Sequence, residues 1–123
     1  MQKLFYQNLI WGKNQQKLQK KSTMVVETHT TYNKEVKEDD EVDIFISYFD
    51  HDKKRLHYKL EMYDKAKNTL SATTEVISLY IDLKVRKVAE FENEKIKIMD
   101  DFILNNNKNF NKEGLKFQNK IKK

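Results

Sequence analysis

The spacing of hydrophobic residues changes period twice along the chain. Leu4, Phe5, Leu9 and Ile10, with Trp11 beside them, fall near helical spacing, and Gly12 follows as a C-cap. This pattern predicts the last turns of a buried helix. Asn14 to Ser22 is polar and lysine-rich, a connector or a short exposed helix. From Met24 the period becomes two. Met24, Val26, Thr28, Thr30 and Tyr32 alternate with Val25, Glu27, His29 and Thr31 in a run rich in β-branched residues, which predicts a strand. The charged stretch Lys34 to Glu41 reads as a loop.

A hairpin follows, with strands over Val42–Asp50 and Lys54–Tyr63 and a turn at His51-Asp52-Lys53. One register sets Phe49 opposite Leu56, Ser47 opposite Tyr58, Phe45 opposite Leu60 and Asp43 opposite Met62, and this mostly apolar face is expected to meet the core. The other face, with Tyr48 opposite His57, Ile46 opposite Lys59 and Ile44 opposite Glu61, is mixed and suits solvent or a partner. Asp64 to Asn68 turns the chain into a long strand, Leu70 to Asp82. Ile77, Leu79 and Ile81 lie on one of its faces and Val76, Ser78 and Tyr80 on the other, so a central strand covered on two sides is predicted. Val88–Phe91 continues the sheet briefly. Helical spacing then returns in Ile96, Met99 and Ile103, with Phe102 beside them, and predicts an amphipathic helix over 92–104. The order of elements implies an α+β domain, one antiparallel sheet packed on a helix.

Charge refines this picture. The chain of 123 residues carries a net +5, but residues 105–123 hold six lysines and one glutamate, which accounts for all of it. The remainder is neutral, and that argues against a nucleic-acid-binding body. The Lys/Asn-rich stretch 105–123 reads as a disordered tail. There is no cysteine, which excludes disulfide scaffolds, thiolate metal sites and cysteine nucleophiles. No stretch approaches the roughly 18 apolar residues of a membrane helix, and the N-terminus lacks a signal-peptide pattern. The expectation is a cytoplasmic protein with no membrane and no nucleic-acid partner.

Three segments carry a resemblance. They are Val25-Val26-Glu27-Thr28-His29-Thr30-Thr31-Tyr32, then Asp50-His51-Asp52-Lys53-Lys54-Arg55-Leu56-His57 continuing to Tyr63, and finally Ser71-Ala72-Thr73-Thr74-Glu75 with Ile81-Asp82-Leu83-Lys84-Val85-Arg86-Lys87-Val88-Ala89-Glu90-Phe91. Together they resemble the hotdog-fold acyl-CoA thioesterases, in the branch of the 4-hydroxybenzoyl-CoA and carnitine-pathway betainyl-CoA enzymes. The resemblance covers roughly residues 9–91 and implies a curved antiparallel sheet around a central helix. It also implies a homodimer or homotetramer joined through the sheets, an acyl-CoA substrate hydrolysed to acid and thiol, and no cofactor. In this branch the carboxylate is an aspartate in an Asp-Tyr-Asn-Gly-His-Met-Asn-like motif that opens the central helix. Residues 1–24 contain no such motif, no aspartate precedes Asp39, and Gly12 is the one early glycine. Met1 is therefore expected to fall inside the central helix. Residues 1–91 would form a hotdog domain lacking its first strand and catalytic loop, as a fragment or a decayed relative.

Five residues are candidates for chemistry. Glu27 and His29 share a strand face and would touch substrate, unless they are a solvated or dimer-facing pair. Glu75 is in register with Ile77, so burial would raise its pKa and suit it to acid/base work in place of the missing aspartate; a hydrogen-bonded structural glutamate is the alternative. Glu27 is the other substitute for that aspartate. Arg55 and His57, with Lys53 and Lys54 beside them, would hold CoA phosphates, or simply end an exposed hairpin. His29, His51 and His57 lack metal-ligand spacing, so no metal is expected. Tyr32, Phe45, Phe49, Tyr58 and Tyr80 read as sheet packing. The competing functions are an inactive dimerisation or acyl-CoA-binding module and, more remotely, nucleic-acid binding through the tail.

Overall fold

A computed structural model describes residues 20–106 and 109–123. Four long strands form one antiparallel sheet: β1 (Lys21–Tyr32), β2 (Val42–His51), β3 (Arg55–Asp64) and β4 (Thr69–Asp82), in the order β1-β4-β3-β2. A two-residue strand, β5 (Lys87–Val88), pairs with β4 at Ile81 and Asp82. Those residues also pair with β1, so β5 takes the opposite edge of β4, beyond the end of β3. Helix α1 (Asn93–Asn106) packs on one face. The helix expected over 4–11 and most of the connector 14–22 lie outside the described residues.

Alternation explains the two layers. On the helix face, Ile46, Tyr48, Leu56, Tyr58, Val76 and Tyr80 are buried against Phe91 and Met99, with Ile96, Phe102 and Ile103 of α1 packed around them. Each fully buried side chain of this size contributes about 1.5–3 kcal/mol. The tyrosine hydroxyls in this layer are hydrogen-bonded, Tyr58 to Ser78 at 3.0 Å and Tyr80 to Glu92 at 2.7 Å. The opposite face of β4 is just as dry: Glu75 and Ile77 are 3% and 2% exposed. β4 is thus covered on two sides, as its two apolar faces predict.

The second cover is the segment composition assigns to a disordered tail. Residues 109–123 run instead as a strap across the sheet. Phe110 meets the Phe49 and Phe102 rings, both at 6.1 Å between centroids. Lys116 and Phe117 donate their N–H groups to Glu75, and Lys122 donates its own to Asp52. Carboxylates on the sheet anchor this basic segment.

The hairpin register differs from the expectation. Tyr48 pairs with Tyr58, Ile46 with Leu60 and Ile44 with Met62, and a bulge between Tyr48 and Asp50 then sets Asp50 opposite His57 and His51 opposite Leu56. The face expected to be mixed therefore supplies Ile46 and Tyr48 to the core. The turn is Asp52-Lys53-Lys54, one residue later than expected, closed by the Asp52 N–H on the Arg55 carbonyl. Ordinary alternation sends Tyr48 under α1 and Phe49 under the strap, and the extra residue of the bulge returns His51 to the α1 face beside Tyr48. Two aromatics expected in the packing are not buried: Tyr32 is 84% exposed and Phe45 49%.

Candidate functional site

Residues opposite one another in an antiparallel pair point to the same face. Glu27 lies opposite Ile77 and His29 opposite Glu75, a bulge between Val25 and Glu27 having adjusted the register of β1. On the other side of β4, Arg55 lies opposite Leu79 and His57 opposite Ile77. All five candidates, Glu27, His29, Arg55, His57 and Glu75, therefore share the strap face.

At its centre His57 and Glu75 meet directly. His57 Nε2 and Glu75 Oε2 are 2.7 Å apart, across a diagonal of the β3–β4 pair, and both residues are nearly inaccessible. The Lys116 N–H donates to Glu75 Oε1 at 2.7 Å and the Phe117 N–H to Oε2 at 2.9 Å. Burial alone would raise the Glu75 pKa. The Lys116 N–H, His57 and the Phe117 N–H together outweigh it and hold the carboxyl below its ordinary value. This reverses the expected direction. Glu75 stays ionised at neutral pH, so it cannot deliver a proton; it can orient His57 and keep the Nε2 proton toward itself. Proton exchange with water or substrate would then use His57 Nδ1.

The remaining candidates lie around this pair. Glu27 is exposed and faces Lys120, with 3.3 Å between Oε1 and Nζ. His29 is exposed and lines a cleft of about 450 Å³ between the sheet and the strap, together with Glu75, Lys59 and Lys116. Arg55 turns to Asp52, Nη1 to Oδ2 at 3.1 Å. Among the described residues, no three His, Asp or Glu side chains form a metal-ligand group.

Two features escape a reading by spacing. His51 bridges β2 to α1, with Nδ1 2.6 Å from the Tyr48 hydroxyl and Nε2 2.7 Å from Asp100 Oδ1. With a neutral ring, the Nε2–H donates to the Asp100 carboxylate and Nδ1 accepts from the Tyr48 hydroxyl. Burial first, then Asp50, Asp100 and Asp52, push the Tyr48 pKa well above its ordinary value. The second feature is Asp52, whose side chain accepts the Lys54, Arg55 and Lys122 N–H groups as well as the Arg55 guanidinium. These donors outweigh burial, the largest opposing influence, and lower its pKa. An aspartate opening a turn signals the first two bonds; nothing in the sequence signals Lys122.

Residues 3–104 match the Thioesterase-like superfamily. The chain belongs to that superfamily. Its fold is the hotdog fold of solved relatives, an antiparallel sheet with a helix on it. The hypothetical protein SAV2348 of Staphylococcus aureus, solved in complex with CoA, superposes with a TM-score of 0.71 at 24% identity, over 98% of this chain and 73% of its own. The DHNA-CoA thioesterase of Staphylococcus aureus gives 0.71 at 15% identity, over 85% of this chain and 71% of its own. The probable thioesterase YbaW of Escherichia coli gives 0.61 at 16%, over 79% and 77%. No curated protein sequence matches the chain. Among the described residues of this superfamily member, no helix is long and apolar enough to cross a membrane.

Proposed function

We propose that the chain hydrolyses acyl-CoA thioesters, in the 4-hydroxybenzoyl-CoA and betainyl-CoA branch that its sequence blocks resemble. The match of residues 3–104 to the Thioesterase-like superfamily carries this reading, and the CoA held by a structural relative supports the choice of substrate. Water attacks the thioester carbonyl, the C–S bond breaks, and the products are a carboxylic acid and the CoA thiol. His57, buried under the strap in this structure, takes the proton of the attacking water through Nδ1 once the strap lifts, and passes a proton to the departing sulfur. Glu75 is the positioning residue, since its ionised carboxylate holds the opposite ring nitrogen. His29 contacts the acyl side of the substrate in the cleft, and Glu27 meets it further along β1. The unit is a homodimer or homotetramer joined through β1, an edge strand on which Met24, Val25 and Val26 are each about half exposed.

Thiol release by the full chain from acetyl-, betainyl-, 4-hydroxybenzoyl- and palmitoyl-CoA tests the reading. Turnover of at least one is expected, with losses of about 10²–10⁴ in His57→Ala and Glu75→Gln. Release from none of the four contradicts it. One observation favours a second reading, a non-catalytic acyl-CoA-binding or dimerisation module: the strap caps both oxygens of Glu75. That module would bind CoA without turning over any ester.

A further inference from the structure

The cleft between sheet and strap stops short of the group proposed as the base. It reaches His29 and Glu75, and residues Glu113 to Lys116 of the strap close one of its walls. His57 is 1% exposed. The strap also occupies the carboxylates on either side of His29: the Lys116 and Phe117 N–H groups cap both oxygens of Glu75, and Lys120 pairs with Glu27. One segment therefore shuts off the base and takes up two of its proposed neighbours.

That segment is fastened unevenly. Phe110, at its start, is buried and meets the Phe49 and Phe102 rings. None of residues 113–123 is buried. They reach the sheet through carboxylates, those of Glu75, Asp52, Glu27 and Asp50. A segment that buries so little apolar area opens at lower free energy than the core beneath it. Between the two parts stands Gly114, with φ at +76° and open space where a Cβ would lie. An L side chain is strained in that left-handed region without clashing with any neighbour here. The turn at Gly114 delivers the next N–H groups, at Lys116 and Phe117, to Glu75. The latched strap needs this conformation, and an open one does not.

We infer that residues 113–123 are an autoinhibitory cover, which swings at Gly114 from a fixed end at Phe110 and admits an ester to His57 only when open. The cover regulates the site proposed above and rests on that reading for the reaction it restrains. Glu75 orients the base and also latches the cover, so closing the strap and sequestering the site are one event.

Carbethoxylation of the histidines by diethyl pyrocarbonate, read residue by residue on the full chain by peptide mass spectrometry, reports the cover without relying on turnover. In the unaltered chain His57 is expected to label far more slowly than the exposed His29. Gly114→Ala strains the latched state alone, so His57 labelling and thiol release from acyl-CoA should both rise about tenfold. Gly114→Asn, which tolerates the left-handed conformation, should move both far less. Lys123→Glu sets a carboxylate against Asp50 at an exposed position with little risk to folding, and should raise both about threefold. The inference is overturned if His57 labels as fast as His29, or if neither Gly114→Ala nor Lys123→Glu speeds its labelling. Faster labelling with unchanged thiol release from a hydrolysed ester overturns it as well, because the cover would then move without inhibiting. Faster labelling in a protein that releases thiol from no ester upholds the cover over His57 and contradicts the hydrolase.

Discussion

Around β4 both faces of the sheet are buried, and they are covered by different means. On one, α1 lays Met99, Ile96, Phe102 and Ile103 against a layer of aliphatic and tyrosine side chains. On the other, apart from Phe110, the strap holds on through carboxylates: Glu75, Asp52, Glu27 and Asp50. Apolar cover is little affected by pH, the one polar tie described between α1 and the sheet being His51 to Asp100. Cover built on carboxylates answers to pH and salt and can be lost by itself. The difference teaches where change is available in this molecule, and it lies over His57 and Glu75 rather than under α1.

Substitutions on each face probe that contrast. Met99→Ala opens a cavity in a fully buried layer and is expected to cost about 3 kcal/mol in urea denaturation, with the strap and the sheet lost together. Glu75→Ala removes the acceptor of His57 and of two strap N–H groups. It should cost about 2 kcal/mol, with faster hydrogen exchange confined to residues 109–123. A Glu75→Ala protein whose strap exchanges as slowly as before would break the comparison. Lys120→Ala deletes an exposed ion pair with Glu27 and is expected to change stability by less than about 1 kcal/mol. A larger loss would show that the strap is held by its surface charges instead of by the buried Glu75 and Asp52 carboxylates.

The helix face was largely legible in the chain, because α1 and the strands that meet it follow periods of 3.6 and two. The long strand β4 announced cover on both sides through its two apolar faces. That same property concealed the hairpin register: where both faces are buried, alternation no longer says which residues point inward. Tyr48 and Phe49 are adjacent and both buried, one on each face, so neither parity marks the α1 side, and the bulge beyond Tyr48 that shifts the pairing leaves no sign in the alternation. The five candidate residues were found singly, from residue type and strand parity. Their convergence on one face follows from the order β1-β4-β3, which is long-range information. The strap was hidden for another reason. Its anchors on Glu75 and Asp52 are backbone N–H groups, which every residue here carries, so a Lys/Asn-rich composition gives no sign of them.

The most direct test of a carboxylate-held cover is amide hydrogen exchange along the chain as pH is lowered. Glu75 and Asp52 titrate below their ordinary values when folded. A group with a depressed folded pKa stabilises fully above its unfolded pKa, and the contribution is lost as pH falls through the folded one. The amides of Lys116, Phe117 and Lys122 should therefore be protected at neutral pH and lose protection, relative to the unfolded chain, as pH falls below about 4. Those of α1 around Met99 should keep theirs over the same range. Loss of protection in both regions at one pH, or a strap unprotected at neutral pH, would contradict the account.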